Sequence, residues 1–215
     1  ISNQIVSRIL VLNSKQTVII HPDVSFRKKE VAALAEHEIG VHMTTTMNAI
    51  EQQLQIFNIG LPVNTLTQEG LAVLSEYLSG NITLQRLKNL ALRVIAVDMM
   101  CSGADFIEVF NEMRNTYKME NTAAYDLVTR IFRGGGFTKD YLYLRGFVRV
   151  LRFWEKHHDI RPLLVGKTSI EFYHTINELI QREMIAGPRY ITKSFEKDEM
   201  DKNNPIYNYI LSGLK

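Results

Sequence analysis

The sequence predicts a mainly α-helical fold with a small N-terminal β-hairpin. Three observations support this prediction: long proline-free stretches of helix-forming residues follow residue 27, two short β-rich runs precede them, and clusters of Gly, Pro and Asn separate the helical stretches. The 215 residues, 46% of them hydrophobic and 22% charged, are sufficient for one domain with its own core.

The first predicted element is a β-hairpin over residues 8–21. Its two runs, Ile9–Leu12 and Thr17–Ile20, are rich in β-branched and aliphatic side chains and flank a polar stretch. An exposed edge of this hairpin could accept an extended peptide by strand addition. A purely structural hairpin that covers the core satisfies the same pattern.

The remaining elements are predicted to be helices. A long helix is expected over residues 27–57, with Gly40 as an interruption, and a second over residues 68–78 after a loop of Gly, Pro and Asn. Further helices are predicted at 83–101, 104–117, 121–133, 138–157 and 168–185. We assign residues 1–192 to one α-rich domain and residues 193–215 to a mobile polar tail that ends in a short helix at 206–212.

Charge and cysteine content exclude several classes of partner. The formal net charge is +2 and no basic tract is present, so no nucleic-acid partner is predicted. No apolar run approaches the ~18 residues of a membrane span, so no membrane association is expected. The single cysteine, Cys101, is expected to be a small buried side chain. Because it cannot form an intrachain disulfide, a cytoplasmic location is favoured. Because residue 1 is Ile, we expect the chain to be part of a longer protein.

The segment that carries chemistry lies in the first long helix. His37 and His42 are five residues apart, and Glu38 directly follows the first histidine. At ~100° per residue, a regular helix would place the two imidazoles ~140° apart, too far round to share an ion. We therefore predict a π-bulge or break across residues 39–41, where Gly40 tolerates the distortion.

A third ligand is expected from a neighbouring helix, because a catalytic zinc usually has three protein ligands and an open position. The best candidate is Glu69, which lies among apolar residues where a carboxylate is costly to bury unless it is paired or bound to metal. Glu76 is expected either to support a ligand or to pair with an arginine. A histidine pair that arises by chance on a helix is the alternative interpretation of this pattern.

Several segments together resemble a known family. The two histidines with Glu38, followed by Gln68-Glu69-Gly70-Leu71-Ala72, resemble the bacterial QEGLA-motif proteins, sometimes labelled flavohaemoglobin expression-modulating. That family includes the eukaryotic microtubule-associated tubulin tyrosine carboxypeptidases. The segments 133–140, 141–146 and 166–167 are similar as well, so the resemblance covers roughly residues 8 to 190.

The resemblance implies an α-rich zincin-like (gluzincin-type) zinc metallopeptidase. His37, His42 and Glu69 would hold Zn²⁺ and Glu38 would act as general base. The expected substrate is a peptide or protein C-terminus, and tubulin itself is not carried over to this chain. The sequence predicts neither the end residue that is preferred nor an oligomeric state.

A carboxypeptidase must also hold a terminal carboxylate, for which arginine is suited by its fork of donors. The glycine-rich stretch from Arg133 to Arg145 supplies both arginines and Lys139, and Tyr141 and Tyr143 are possible oxyanion donors. The alternative is an ordinary turn between helices with solvated charges.

Two other functions compete with a hydrolase. A non-catalytic regulatory protein could use the same metal site, although retention of Glu38 and the lack of an evident fourth ligand favour catalysis. A helical partner-binding module without metal fits only if Glu69 lies far from the two histidines.

Overall fold

A computed structural model of the chain describes residues 1–5, 9–12, 15–133, 139–156 and 159–196, with Ile206, Asn208, Tyr209 and Gly213. The chain divides into two compact units, residues 1–82 with 146–215 and residues 83–145. The described residues are mainly helical and include one two-stranded antiparallel sheet, which confirms the predicted secondary-structure class. The zincin-like (gluzincin-type) assignment stays a prediction. Among these residues, no helix combines the length and the apolar character needed to cross a membrane.

The β-hairpin forms where it was predicted. Strands β1 (Ile9–Leu12) and β2 (Thr17–Ile20) are antiparallel, with Ile9 opposite Ile20 and Leu12 opposite Thr17. Positions 8, 13 and 14 of the predicted hairpin lie outside the described residues. The β-branched side chains favour the pleated conformation, and the sheet has no more than these two strands in the described part of the chain.

The first long helix is interrupted more extensively than predicted. It consists of α1 (Lys28–Leu34), a π-helical segment (Ala35–Met43) and α2 (Thr44–Ile50). The predicted continuation to residue 57 is wrong, because the helix ends at Ile50 and a separate short helix α3 (Ile56–Ile59) follows.

Helix α4 (Asn64–Leu78) is the central helix of the first unit and begins earlier than predicted. Every residue from Thr67 to Leu78 is buried. The Tyr77 ring packs edge-on against Phe147, with ring centroids 5.5 Å apart. A helix buried on all sides has little freedom to move, so α4 fixes the positions of the side chains it carries.

The second unit contains α5 (Leu84–Cys101), α6 (Phe106–Asn115) and α7 (Asn121–Phe132) among its described residues. Their bounds agree with the predicted helices within two residues at each end. The Thr83 hydroxyl accepts a hydrogen bond from the Arg86 N–H at the start of α5, and Asp105 caps α6. These caps explain why the helices begin where they do.

Apolar faces of all three helices build the core of the second unit. The buried residues are Leu92, Ala96, Val97, Val109, Met113, Ala124, Leu127, Val128 and Ile131. Cys101, the last residue of α5, is exposed, so the prediction of a buried thiol is wrong. Apolar neighbours in sequence do not determine on which side of a helix a residue lies.

The C-terminal helices are shorter than predicted. Helix α8 covers Leu142–Glu155 and helix α9 covers Tyr173–Gln181. A 3₁₀ turn, Ile170–Phe172, precedes α9, and Glu183 adopts a left-handed conformation with φ of 56° soon after its end. Pattern alone does not distinguish such turns from regular helix. A further 3₁₀ turn, Arg161–Leu164, lies between the two helices.

The predicted polar tail begins with packed residues. Lys193–Glu196 form a 3₁₀ helix in which Ser194 and Phe195 are buried, so these four residues are not a mobile surface segment. Residues 197–205 lie outside the described part of the chain. Ile206, Asn208 and Tyr209 are helical, in agreement with the predicted final helix. The boundary after residue 192 stays a prediction.

Helices α4 and α8 are in direct backbone contact at two glycines. A Cβ atom on Gly70 would overlap the Gly146 carbonyl group, and one on Gly146 would overlap the Leu66 carbonyl oxygen. No side chain fits between the helices there, so their separation is set by main-chain atoms.

Candidate metal centre

The π-helical segment aligns the two histidines. In a π-helix each N–H bonds to the carbonyl five residues earlier, as the Thr44 N–H does to the Ile39 carbonyl. The Thr44 hydroxyl also donates to this carbonyl, at 2.9 Å. Residues five apart are therefore neighbours along the segment. The predicted distortion at residues 39–41 is confirmed, and it extends over nine residues.

The two imidazoles and the Glu69 carboxylate converge. The His37 and His42 ring centroids are 5.0 Å apart. Glu69 Oε2 lies 3.6 Å from His37 Nε2 and 3.6 Å from His42 Nε2. One ligand atom from each of the three residues lies within 4.8 Å of the other two, so the group could hold a metal ion.

The cluster is largely shielded from solvent. The side-chain exposure is 7% for His37, 5% for Glu69 and 17% for His42. Glu69 is held at this depth because it lies in the fully buried part of α4. A buried carboxylate is costly unless it is paired or bound to metal, so this position suits a ligand better than a structural residue.

The donor set and its spacing are compatible with a bound metal ion. Catalytic zinc sites use three protein ligands drawn from histidine nitrogens and carboxylate oxygens. Two ligand atoms that each lie ~2.0–2.2 Å from a tetrahedral ion are roughly 3.4 Å apart. This value is close to the 3.6 Å between Glu69 Oε2 and the Nε2 atom of each histidine. The two separations are therefore compatible with an ion shared by Glu69 and the histidines.

Glu76 supports His37 from the opposite side of the ring. His37 Nδ1 lies 2.7 Å from Glu76 Oε1, and the Glu76 side chain is only 2% exposed. This contact with the candidate ligand His37 agrees with one of the two predicted roles of Glu76. Donation from Nδ1 to a carboxylate leaves the Nε2 lone pair directed at Glu69, as in a metal-ligating histidine.

Glu38 directly follows His37 in the π-helical segment and is half-buried. Within the described part of the chain, its carboxylate forms no hydrogen bond or ion pair. An uncommitted carboxylate beside a metal ligand is chemically able to accept a proton from water. Its role as general base stays a prediction.

A group of polar residues that sequence reasoning missed holds residues 186–196, here called the C-terminal strap. The buried Asn48 amide donates to the Leu164 and Tyr190 carbonyls at 2.9 and 2.8 Å and accepts from the Tyr190 N–H at 2.9 Å. Gln52 exchanges two hydrogen bonds with the Ala186 backbone, at 3.0 and 3.2 Å. The available signal was two amides four residues apart in the predicted helix, but an exposed polar face of a helix gives the same pattern in sequence.

The strap continues onto the π-helical segment and α4. The Thr192 hydroxyl donates to the Gly40 carbonyl. Ser194 Oγ lies 2.8 Å from Ser75 Oγ, and the Ser75 hydroxyl donates to Glu36 at 2.7 Å. Residues more than 110 positions apart in the sequence thus meet at the helix that carries the histidines.

The five residues predicted to bind substrate all belong to the second unit. Arg133 is the C-cap of α7, Tyr143 and Arg145 lie in α8, and Lys139 and Tyr141 lie just before it. Tyr143 is buried, with the Arg93 guanidinium 5.6 Å and the Lys139 ammonium 5.7 Å from its ring centroid. Residues 134–138, the glycine-rich part of the motif, lie outside the described residues. Carboxylate recognition by this group stays a prediction.

Asp140 forms a second buried acidic centre, which the sequence analysis also missed. It accepts a hydrogen bond from Arg130 Nε and lies 3.5 Å from Arg93. Burial, with the charges of Arg130 and Arg86, lowers the pKa of Arg93 to about 10, against the opposing effect of Asp140. Burial alone would lower the pKa of Arg130, but the hydrogen bond and charge of Asp140 raise it. Both guanidiniums therefore remain charged at neutral pH.

Comparison with known proteins agrees with the family resemblance of the sequence motifs. The chain is 29% identical to a mouse protein over 193 residues and 27% identical to its human counterpart over 192 residues. Both carry the provisional name tyrosine carboxypeptidase MATCAP2, and each match covers 84% of this chain but 36% of the relative. The chain thus spans about a third of the length of these relatives. The sequence pattern of one family matches all of residues 1–215. The chain belongs to the microtubule-associated tyrosine carboxypeptidase family.

Proposed function

We propose that this protein is a zinc-dependent peptidase that removes residues from peptide or protein C-termini. The observation that carries the proposal is the convergence of His37, His42 and Glu69 in one buried cluster. Family membership supports the type of reaction, because the family and both relatives are named for carboxypeptidase activity. We also propose that it acts in the cytoplasm, since its one cysteine cannot form an intrachain disulfide.

His37 Nε2, His42 Nε2 and Glu69 Oε2 would hold the zinc ion. Among the residues that the structure describes, no fourth histidine, cysteine or acidic side chain joins the cluster. Structural zinc sites normally have four protein ligands, whereas three ligands leave a position for water or substrate. Zinc in such a site lowers the pKa of water and polarises a carbonyl group, so no covalent nucleophile is required from the protein.

Glu38 would supply the proton transfers. Its carboxylate would accept a proton from the attacking water and pass it to the amine that leaves when the peptide bond breaks. Its half-buried position and its lack of partners among the described residues support this assignment. Glu76 would keep the His37 ring in the orientation that directs Nε2 towards the ion.

Peptides ending in tyrosine are the first substrates to test, because both relatives are named for that residue. We propose that Arg133, Lys139 and Arg145 receive the terminal carboxylate and that Tyr141 or Tyr143 donates to the developing oxyanion. Tyr141 is the more accessible of the two hydroxyls, since Tyr143 is buried.

The variant Glu38→Gln tests the proposed reaction. It preserves the shape of the side chain and removes the base, so we expect kcat/KM for C-terminal tyrosine release to fall ~10²–10⁴-fold with zinc content unchanged. Zinc is measured by elemental analysis and cleavage by mass spectrometry of a peptide mixture. If the wild type binds zinc and cleaves nothing, the regulatory alternative is favoured and the peptidase proposal fails.

The carboxylate-binding proposal has its own test. Free-acid and amidated forms of one substrate peptide are compared for the wild type and for Arg133→Ala with Lys139→Ala. The wild type is expected to prefer the free acid, and the double variant to lose that preference because the two cations no longer hold the carboxylate. An unchanged preference would exclude these two residues from the role.

A further inference from the structure

The π-helical form of Ala35–Met43 requires an explanation. π-Helices are rare and usually consist of a single turn, whereas this one extends over nine residues. If the segment relaxed to an α-helix, residues five apart would lie ~140° apart around the axis. His37 and His42 could then no longer face one ion. The proposed metal site therefore depends on contacts that hold the π form.

The C-terminal strap provides such contacts along one side of the helix. It pairs Ala186 with Gln52, Tyr190 with Asn48, and Thr192 with Gly40. The strap thus runs antiparallel to the segment from Gly40 to Gln52. Only the last of these contacts falls within the π-helical segment.

Thr192 acts directly on the hydrogen-bond ladder of the segment. In an α-helix the Gly40 carbonyl would accept from the Thr44 N–H, but that N–H bonds to the Ile39 and Val41 carbonyls instead. The Thr192 hydroxyl gives the Gly40 carbonyl a donor from outside the helix. Insertion of a side chain into the ladder is an established cause of local departures from α-helix. The Thr192 side chain is itself buried, which limits its replacement by water.

The absence of a side chain at Gly40 allows this approach. A Cβ atom at residue 40 would lie 3.1 Å from Thr192 Cγ2, which is tighter than an ordinary contact. The glycine thus contributes to the site in two ways, since it tolerates the π conformation and admits the threonine.

We propose that Thr192 is a positioning residue that keeps Ala35–Met43 in the π form required for His37 and His42 to share a metal ion. The inference rests on the proposed function, because it assumes that these histidines bind metal. Thr192 itself contacts the backbone of the ligand-bearing helix and acts through it.

The test compares Thr192→Val with Thr168→Val in the whole chain. Both remove a buried threonine hydroxyl that donates to a carbonyl, that of Gly40 in one case and that of Leu163, at 2.8 Å, in the other. Thr192→Ala is measured in parallel because it cannot crowd the Gly40 carbonyl, and Thr192→Ser retains the hydroxyl. Zinc affinity is measured by competition with a chelator, and amide hydrogen exchange of residues 35–43 is measured on metal-free protein.

We expect Thr192→Val and Thr192→Ala to weaken zinc binding ~10–100-fold, as for other residues that orient ligands, and to accelerate exchange in residues 35–43. Thr168→Val and Thr192→Ser should stay close to the wild type in both measurements. Equal behaviour of the Thr192 and Thr168 variants would overturn the proposal. If the wild type binds no zinc, the peptidase proposal fails on its own. Hydrogen exchange then decides the role of Thr192, with faster exchange supporting it and unchanged exchange overturning it.

Discussion

Among the described residues, buried acidic side chains lie in each of the two units and have different partners. In the first unit, Glu69 lies against two imidazoles, and in the second, Asp140 lies against the Arg93 and Arg130 guanidiniums. Guanidinium groups carry a permanent charge and no available lone pair, so the second centre is an ion pair. Neutral imidazoles offer lone pairs, so the first can accept a cation. The identity of the nitrogen partner thus separates a candidate metal-binding centre from an ion pair.

The largest effect is expected from Glu69→Gln, which removes the charge and keeps the shape. Zinc at a thousand times its Kd should stabilise the wild type by about 4 kcal/mol, and this stabilisation should disappear in the variant. Thermal unfolding with and without zinc measures it, and Asp140→Asn serves as the control that retains the response. A normal zinc response of Glu69→Gln would mean that the ion binds elsewhere.

At the second centre, substitution should change the stability of the metal-free protein rather than its response to zinc. Asp140→Ala leaves Arg93 and Arg130 close together without their carboxylate, so we expect a loss of about 3 kcal/mol of unfolding free energy. Urea unfolding of the metal-free protein measures the loss, and zinc binding should be unaffected. A loss below about 0.5 kcal/mol would identify the group as an ordinary surface ion pair and weaken the contrast.

The smallest of the three effects is expected from Glu76→Gln. The amide oxygen can still accept from His37 Nδ1, but the loss of charge makes the imidazole a poorer ligand. Zinc affinity should fall ~10–100-fold, which corresponds to ~1.4–2.8 kcal/mol. Chelator competition measures this change, with the exposed Glu178→Gln as control. Equal affinities of the two variants would show that Glu76 serves packing alone.

Local patterns in the sequence were sufficient to predict most of the secondary structure. The hairpin, α5, α6 and α7 agree with prediction because β-branched runs, caps and glycine stops act over a few residues. The single helix predicted over residues 27–57 failed because its end at Ile50 depends on packing rather than on a local stop signal. The prediction that Cys101 is buried failed for a related reason, since the exposure of a side chain depends on how the helices pack.

The site could be predicted to the extent that its residues are close in sequence or in a recognised motif. The five-residue spacing of His37 and His42 was itself the sign of a distorted helix, and the structure has that distortion. Thr192 and Asn48 could not be predicted, because the strap they anchor meets the helix across more than 140 residues of sequence. Neither residue has a spacing or composition that marks a functional role.

The glycine contact between α4 and α8 has a consequence for how this protein can vary. Gly70 immediately follows Glu69, and backbone atoms alone determine how close its helix comes to Gly146. Substitutions elsewhere in the interior can change side-chain volumes without altering that distance. Such substitutions should therefore leave the burial of the Glu69 carboxylate unchanged. Any residue larger than glycine at position 70 or 146 would instead displace that carboxylate.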